Sequence, residues 1–222
     1  MVNYNNFAKT FSQSRKNMKW EEMEYFLKNI PFNENTKILD IGSGNGRFLG
    51  ELLDSAKTGN FPKTANDNYL GIDLSSGLLT EAKKLFPGYL FLELNMIDID
   101  SLEEKYTDIF LYASFHHLKS ISDRFDVLQK AYELLETGGR IYLTNWALDS
   151  QLNKKRYSEA QIPNSVNEYG STDFNIKLGG HDRYYHCFSI DELQCLFKET
   201  GFTIIENRLF ENDRNIISII EK

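Results

Sequence analysis

Gly42, Gly44 and Gly46 stand at alternate positions directly after the apolar residues Ile38, Leu39 and Ile41, in the stretch KILDIGSGNGRF at 37–48. Glycine lets a backbone turn sharply and approach a ligand with no Cβ in the way. A buried strand running into such a turn is a cradle for a nucleotide-like group, and the glycine spacing narrows which one. The dinucleotide fingerprint GxGxxG requires glycine at position 47, whereas this chain has Arg47 and reads GxGxG. Asp40 sits inside the apolar run, where a carboxylate needs partners. Asp73 and Asn95 close the next two apolar runs. A carboxylate in the first of these places can accept both hydroxyls of a ribose, or cap the helix that begins near Ser75. Beyond them lies the pair His116 and His117. Imidazole titrates in the range a general base needs, although one ring of such a pair can equally be packing and the other a pocket wall.

These residues must be placed by alternating strands and helices, the pattern of a mostly parallel sheet. Strands are expected at 37–41, 69–72, 89–94, 109–113 and 140–144. Helices are expected over 3–29, from 47 onward, over 75–85 ahead of Pro87, and over 123–136, with Gly138 and Gly139 closing the last. Residues 57–68 read as a loop. Residues 148–186 show no clear period and read as a functional insert or lid. Ser189 with Glu192 predicts a capping box for a helix reaching residue 199. Strands at 202–206 and 216–220, joined by a turn at 211–214, close the chain. The expected fold class is α/β, with a seven-stranded sheet, helices on both faces and a C-terminal antiparallel hairpin. The 222 residues fit one domain.

Composition excludes several classes. The two cysteines, Cys187 and Cys195, form no CxxC and no Cys/His cluster, which argues against a disulfide framework or a structural zinc site. Residues 1–16 lack the apolar core of a signal peptide, and no apolar run reaches membrane-spanning length, so a soluble cytoplasmic protein is expected. The net charge of −7 weighs against a nucleic-acid binder. Its distribution is uneven, because residues 1–20 hold Lys9, Arg15, Lys16 and Lys19 and no acid.

The GxGxG spacing resembles motif I of the class I S-adenosylmethionine (SAM) methyltransferases, a Rossmann-like fold. That resemblance assigns Asp40, Gly42, Ser43, Gly44, Gly46, Asp73, Leu74, Asn95, Met96 and Ser114 to cofactor binding. Asp40 falls near the methionine end, and Asn95 and Met96 fall at the adenine. Methyl transfer is an in-line displacement in which an enzyme mainly supplies proximity and alignment. An ionised carboxylate acceptor needs no base, whereas an alcohol or amine usually does. The Asn/Asp-Pro-Pro-aromatic signature of base-nitrogen methylation is absent, and neither cysteine sits in a motif typical of C5 base methylation.

Five segments carry a closer resemblance: FAKTFSQSR with Trp20, SFHHL at 114–118, NWALDSQ at 145–151, RYYHCFSIDEL at 183–193 and the closing NDRNIISIIEK. Together they are similar to the tRNA wobble-uridine carboxymethyl methyltransferase family, which includes the methyltransferase domain fused to an AlkB-like oxygenase in animals. The resemblance runs nearly end to end. It implies methyl transfer from SAM to the carboxylate of a carboxymethyl group on the wobble uridine of tRNA. Arg15, Arg183, Tyr184 and His186 then become candidates to hold an acidic acceptor, with His116 beside them, since a guanidinium grips a carboxylate through two parallel hydrogen bonds. Residues 1–30 would form a helical cover over substrate and cofactor, and 148–186 a lid, in a single methyltransferase domain over 1–222. The family also implies a small zinc-binding activator subunit as partner. Two other readings stay open: a methyltransferase for a small acidic metabolite, and a non-catalytic SAM-binding partner subunit.

Overall fold

The computed structural model describes residues 20–56, 68–178 and 180–222. Strand β1 (Ile38–Ile41) is buried at every position, as a strand covered on both faces must be. It pairs in parallel with β2 (Tyr69–Asp73) on one side and β4 (Tyr106–Tyr112) on the other. Beyond β2 lies β3 (Leu90–Glu93), and beyond β4 lies β5 (Leu135–Trp146), both parallel. The final strand, β9 (Asn215–Glu221), runs antiparallel between β5 and β8 (Thr203–Leu209). The seven strands are ordered β3-β2-β1-β4-β5-β9-β8. The strand order reverses at β1, so the carboxyl ends of β1 and β4 open the crevice in which a sheet of this kind binds its ligand.

Successive residues of each strand point to opposite faces. Ile38, Phe110 and Tyr142 meet α1 (Glu21–Asn29), α2 (Arg47–Ala56) and α3 (Ser76–Leu85) through Phe26, Leu49 and Leu79. Leu39, Ile41 and Leu111 meet α4 (Ile121–Leu134) and α6 (Ile190–Glu199) through Leu128, Leu193 and Phe197. Each such buried side chain contributes about 1.5–3 kcal/mol, and together they hold the strand ends in fixed register. Among the described residues no helix is long and apolar enough to cross a membrane, and no cluster of His, Cys, Asp or Glu is arranged to hold a metal ion.

The structure departs from the sequence pattern in three places. Gly138 and Gly139 do not close α4, which stops at Leu134 when Leu135 turns extended. Both glycines lie within β5, where the register against β4 slips between Tyr106 and Asp108. A Cβ on Gly139 would stand 2.9 Å from the carbonyl oxygen of Thr107, so the glycine permits close strand approach. Secondly, the stretch at 148–186 is structured. It holds α5 (Gln151–Tyr157), a 3₁₀ turn at Ser158–Ala160, and an antiparallel pair, β6 (Thr172–Leu178) with β7 (His181–Cys187), as a separate small sheet. Thirdly, only half of the capping box forms. Ser189 Oγ accepts from the Glu192 N–H at 3.1 Å, but the Ser189 N–H donates to Ser171 Oγ, because the Glu192 carboxylate is engaged elsewhere.

Candidate active site

A cavity of about 580 Å³ opens at the carboxyl ends of β1, β2 and β4 and is roofed by β7. Gly42, Gly44 and Gly46 all take positive φ, at +82°, +56° and +77°. The N–H groups of Gly42 and Ser43 both donate to the Ile72 carbonyl, which sets the turn against β2. A Cβ on Gly42 would sit 2.4 Å from the Cβ of Ser114, whose hydroxyl donates to the Ile41 carbonyl at 2.7 Å. Ser114 is therefore the brace between β4 and the turn as well as part of the wall. At Gly44 nothing lies nearer than a Leu78 methyl at 3.9 Å, so that glycine faces the cavity. Gly46 packs on Phe86 and Phe91; it shapes the turn from behind.

The Asp73 carboxylate holds the turn from the other side, accepting from the Gly44 N–H at 2.9 Å and the Ser75 N–H at 2.7 Å. Burial pushes its pKa up, and these backbone donors oppose the shift. Its helix-capping and ligand-facing readings thus coexist, since Asp73 and its neighbour Leu74 both line the cavity. Asp40 is 1% exposed and takes the Tyr69 hydroxyl at 2.7 Å. Burial raises its pKa to about 7, with the Tyr69 hydrogen bond opposing and the Asp73 charge reinforcing the rise. Asn95 Oδ1 accepts the Ile97 N–H at 3.4 Å, starting a 3₁₀ turn, and Asn95 and Met96 both line the cavity.

The second reactant's candidates are sorted differently from the sequence expectation. Arg15 lies outside the described residues. His116 is 1% exposed and does not line the cavity. Its Nδ1 accepts the Trp146 N–H at 3.3 Å, and burial drives its pKa far down. It is a neutral packing group among His117, Trp146 and Tyr185. His117 reaches the wall instead. A carbonyl only accepts and a guanidinium only donates, so its contacts fix the tautomer. Nδ1–H donates to the Tyr184 carbonyl at 2.9 Å, and Nε2 accepts from Arg183 Nη2 at 2.8 Å. Burial, reinforced by the Arg183 charge, lowers the His117 pKa to about 3. Arg183 lines the cavity with its guanidinium 5.0 Å from the Tyr185 ring, which stacks on Trp146 at 5.0 Å.

His186 does not face the cavity. Its ring bridges two carboxylates, Asp173 at 2.6 Å and Glu192 at 2.8 Å. Glu192 also takes Arg124 at 3.0 Å and Asn167 at 2.9 Å. Burial opposes the charge on Glu192, yet the bond to His186 and its companions lower the pKa to about 2. Tyr184 lines the cavity, but its hydroxyl donates to Asp173 at 2.7 Å. This network fastens the β6–β7 hairpin to α4 and α6; it is how Arg183 is held in place.

Three wall residues had no sequence signal pointing to chemistry: Trp20, Arg47 and Tyr112. Arg47 was legible only as the missing third glycine.

Residues 39–141 match the family model described as a methyltransferase domain. The solved structure of a SAM-dependent methyltransferase from Methanosarcina mazei superposes with a TM-score of 0.63 at 21% identity, covering 86% of this chain and 93% of that one. The chain is a SAM-dependent methyltransferase. Relatives named tRNA (carboxymethyluridine(34)-5-O)-methyltransferase are 28% identical in Saccharomyces cerevisiae and 25% identical in Schizosaccharomyces pombe. The first alignment covers 70% of this chain and half of the relative; the second covers 92% and 88%. The methyltransferase cavity fits SAM on its own geometry. Its volume lies within the range of small-molecule sites, roughly 300–1,000 Å³. Gly44 leaves open the space a side chain would fill, and acid and amide stand at successive strand ends. Bound there, SAM supplies an electrophilic methyl on its sulfonium.

Proposed function

We propose that this methyltransferase esterifies the carboxylate of a carboxymethyl group on the wobble uridine of tRNA. The observation that carries the reading is Arg183, set in the cavity wall against a neutral His117. An arginine offers a carboxylate a forked, permanently charged partner. The histidine beside it has its lone pair turned to the guanidinium and its other nitrogen to a carbonyl, so it is spent as a base. A carboxylate is ionised at neutral pH and needs none. The relatives in the two yeasts, named for this reaction, support the same choice.

In this reading Asp40, Asp73, Asn95 and Met96 line the cofactor's place, and Arg183, with Arg15 from the N-terminal arm, receives the acceptor. The β6–β7 hairpin acts as the lid. Phosphate contacts dominate nucleic-acid affinity, and the chain carries a net charge of −7. The basic arm or a small activator subunit would therefore supply the tRNA contacts. Both cysteines are free thiols, which fits a reducing cytoplasm. The same net charge favours a second reading, a small acidic metabolite as acceptor.

Incubation with labelled SAM and tRNA bearing carboxymethylated wobble uridine, with and without cell lysate, tests the proposal. Base-labile label in the tRNA is expected. Its absence from every sample, with label appearing in a small acid, would replace the first reading by the second.

A further inference from the structure

Where the glycine turn enters α2 the cavity wall is built by three elements at once. Trp20 precedes α1, Arg47 opens α2 and Tyr112 ends β4. The Trp20 and Tyr112 rings lie 5.0 Å apart, and the Arg47 guanidinium carbon lies 4.1 Å from the Trp20 ring centre. All three face the same cavity. Tyr112 is 7% exposed, and both its hydroxyl oxygen and the Trp20 Nε1 are buried without a hydrogen-bond partner among the described residues. Buried donors are paired in nearly all native structures. Two of them on one cavity wall mark a place where a ligand brings the acceptor.

The donor set defines that ligand. Trp20 Nε1 can only donate, and Arg47 adds charged donors, so the group they meet is an anion with lone pairs and no hydrogens; a carboxylate has that description. The nearby acids Glu22 and Glu51 do not reverse the sign. Glu22 Oε1 is taken by Asn212 at 3.0 Å and Asn215 at 2.7 Å, and Arg47 faces Tyr112 together with both acids. Two carboxylates are candidates: that of the cofactor's methionine end and that of the acceptor. Position decides between them. Arg47 directly follows Gly46, and Asp40 immediately precedes the turn, whereas the cation offered to the acceptor, Arg183, stands on β7.

Resting on the assignment of the cavity to SAM, we propose that Trp20, Arg47 and Tyr112 seat the α-carboxylate of the cofactor's methionine end, with Asp40 turned to its ammonium. A third glycine at position 47 would leave this end without its cation, which accounts for the departure from the dinucleotide pattern.

Calorimetric titration of the full chain tests this with three probes. S-adenosylhomocysteine carries the amino-acid end, 5′-methylthioadenosine lacks it, and 5-carboxymethyluridine carries the other carboxylate. Arg47→Gln and Tyr112→Phe should each weaken S-adenosylhomocysteine about tenfold or more while leaving 5′-methylthioadenosine within about twofold, as expected for lost hydrogen bonds to a charged group. The unchanged nucleoside affinity also reports that each variant is folded. Equal weakening of both adenosyl probes would reduce the cluster to a structural wall. A loss confined to 5-carboxymethyluridine would transfer it to the acceptor. A wild-type chain that binds neither adenosyl probe would remove the cofactor assignment itself, and this proposal with it.

Discussion

Arg183 donates to Nε2 of His117 at 2.8 Å, and the opposite nitrogen of that ring donates to the carbonyl of Tyr184, the residue next to Arg183. The histidine is thus clamped to β7 at two points and fixes the guanidinium relative to the backbone that carries it. His117 is a positioning residue for an arginine; the chemistry of the acceptor falls to Arg183.

His117→Ala should lower kcat for methyl transfer about tenfold, the scale of one hydrogen bond to a charged group, with SAM affinity unchanged. His117→Gln, whose amide oxygen can accept from Arg183, should restore part of the rate. Burial and the Arg183 charge hold the His117 pKa at about 3, so the ring stays neutral throughout the working range. The pH–rate profile should show no limb from this ring between about pH 5 and 8. A wild-type limb near the ordinary imidazole value of about 6.5 that vanishes in His117→Gln would restore the general-base role.

Gly42 and Gly44 separate fold from binding. Both take positive φ, but a Cβ on Gly42 collides with Ser114 at 2.4 Å while one on Gly44 meets only a Leu78 methyl at 3.9 Å. Gly42→Ala should destabilise the protein by about 3 kcal/mol, combining backbone strain with overpacking. Gly44→Ala should cost about 1 kcal/mol in stability yet lose SAM affinity, because its methyl enters the cavity. Denaturant titration beside calorimetry separates the two, and equal stability losses would show the contacts at Gly42 relax freely.

The difference between what was legible and what was not has a physical pattern. The strands β1, β2 and β4 announce themselves because each buries a run of branched apolar residues on both faces. The small hairpin did not, although Phe174 and Ile176 on β6 alternate with Asp173 and Asn175. Its second face is a buried ionic network: Asp173, Tyr184 and His186 find Glu192 and Arg124 across the fold. Polar residues buried by pairing look like loop residues in a sequence. The same limit exchanged His116 for His117, since adjacent residues face opposite ways and only the fold says which faces the ligand. Arg183 and Asp73 were readable because their charge is rare beside apolar strands, whereas Trp20 and Tyr112 look like ordinary core.

The hairpin network should be the weak point in acid. Glu192 has its pKa lowered to about 2 from an ordinary value of 4.5. A depressed carboxylate contributes stability that is complete above the unfolded value and is lost as pH falls through the folded one. Urea denaturation should therefore show stability dropping between about pH 4.5 and 2. Glu192→Gln should cost about 3–5 kcal/mol at pH 7, since it strands the buried Arg124 and His186, and should flatten that acid limb. A variant as acid-sensitive as the wild type would place the sensitivity elsewhere.

Asp40 should trade stability for binding. Burial raises its carboxyl to about 7, so between an unfolded value of 3.8 and that point the native protein holds a proton the unfolded chain has released. Stability contributed by this group therefore falls as pH rises from about 4 to 7 and stays low above. Asp40→Asn keeps an acceptor for the Tyr69 hydroxyl, bonded here at 2.7 Å, and removes the buried charge. Thermal melts of the ligand-free protein should show the variant more stable than wild type at about pH 8, the gap closing toward pH 5. Binding should move the other way. An ammonium facing Asp40 needs the ionised form, so wild-type affinity for S-adenosylhomocysteine should weaken as pH falls through about 7. The variant should bind more weakly and show no such dependence. A variant that binds S-adenosylhomocysteine as tightly as wild type at pH 8 would sever Asp40 from the ammonium and leave it a structural partner of Tyr69.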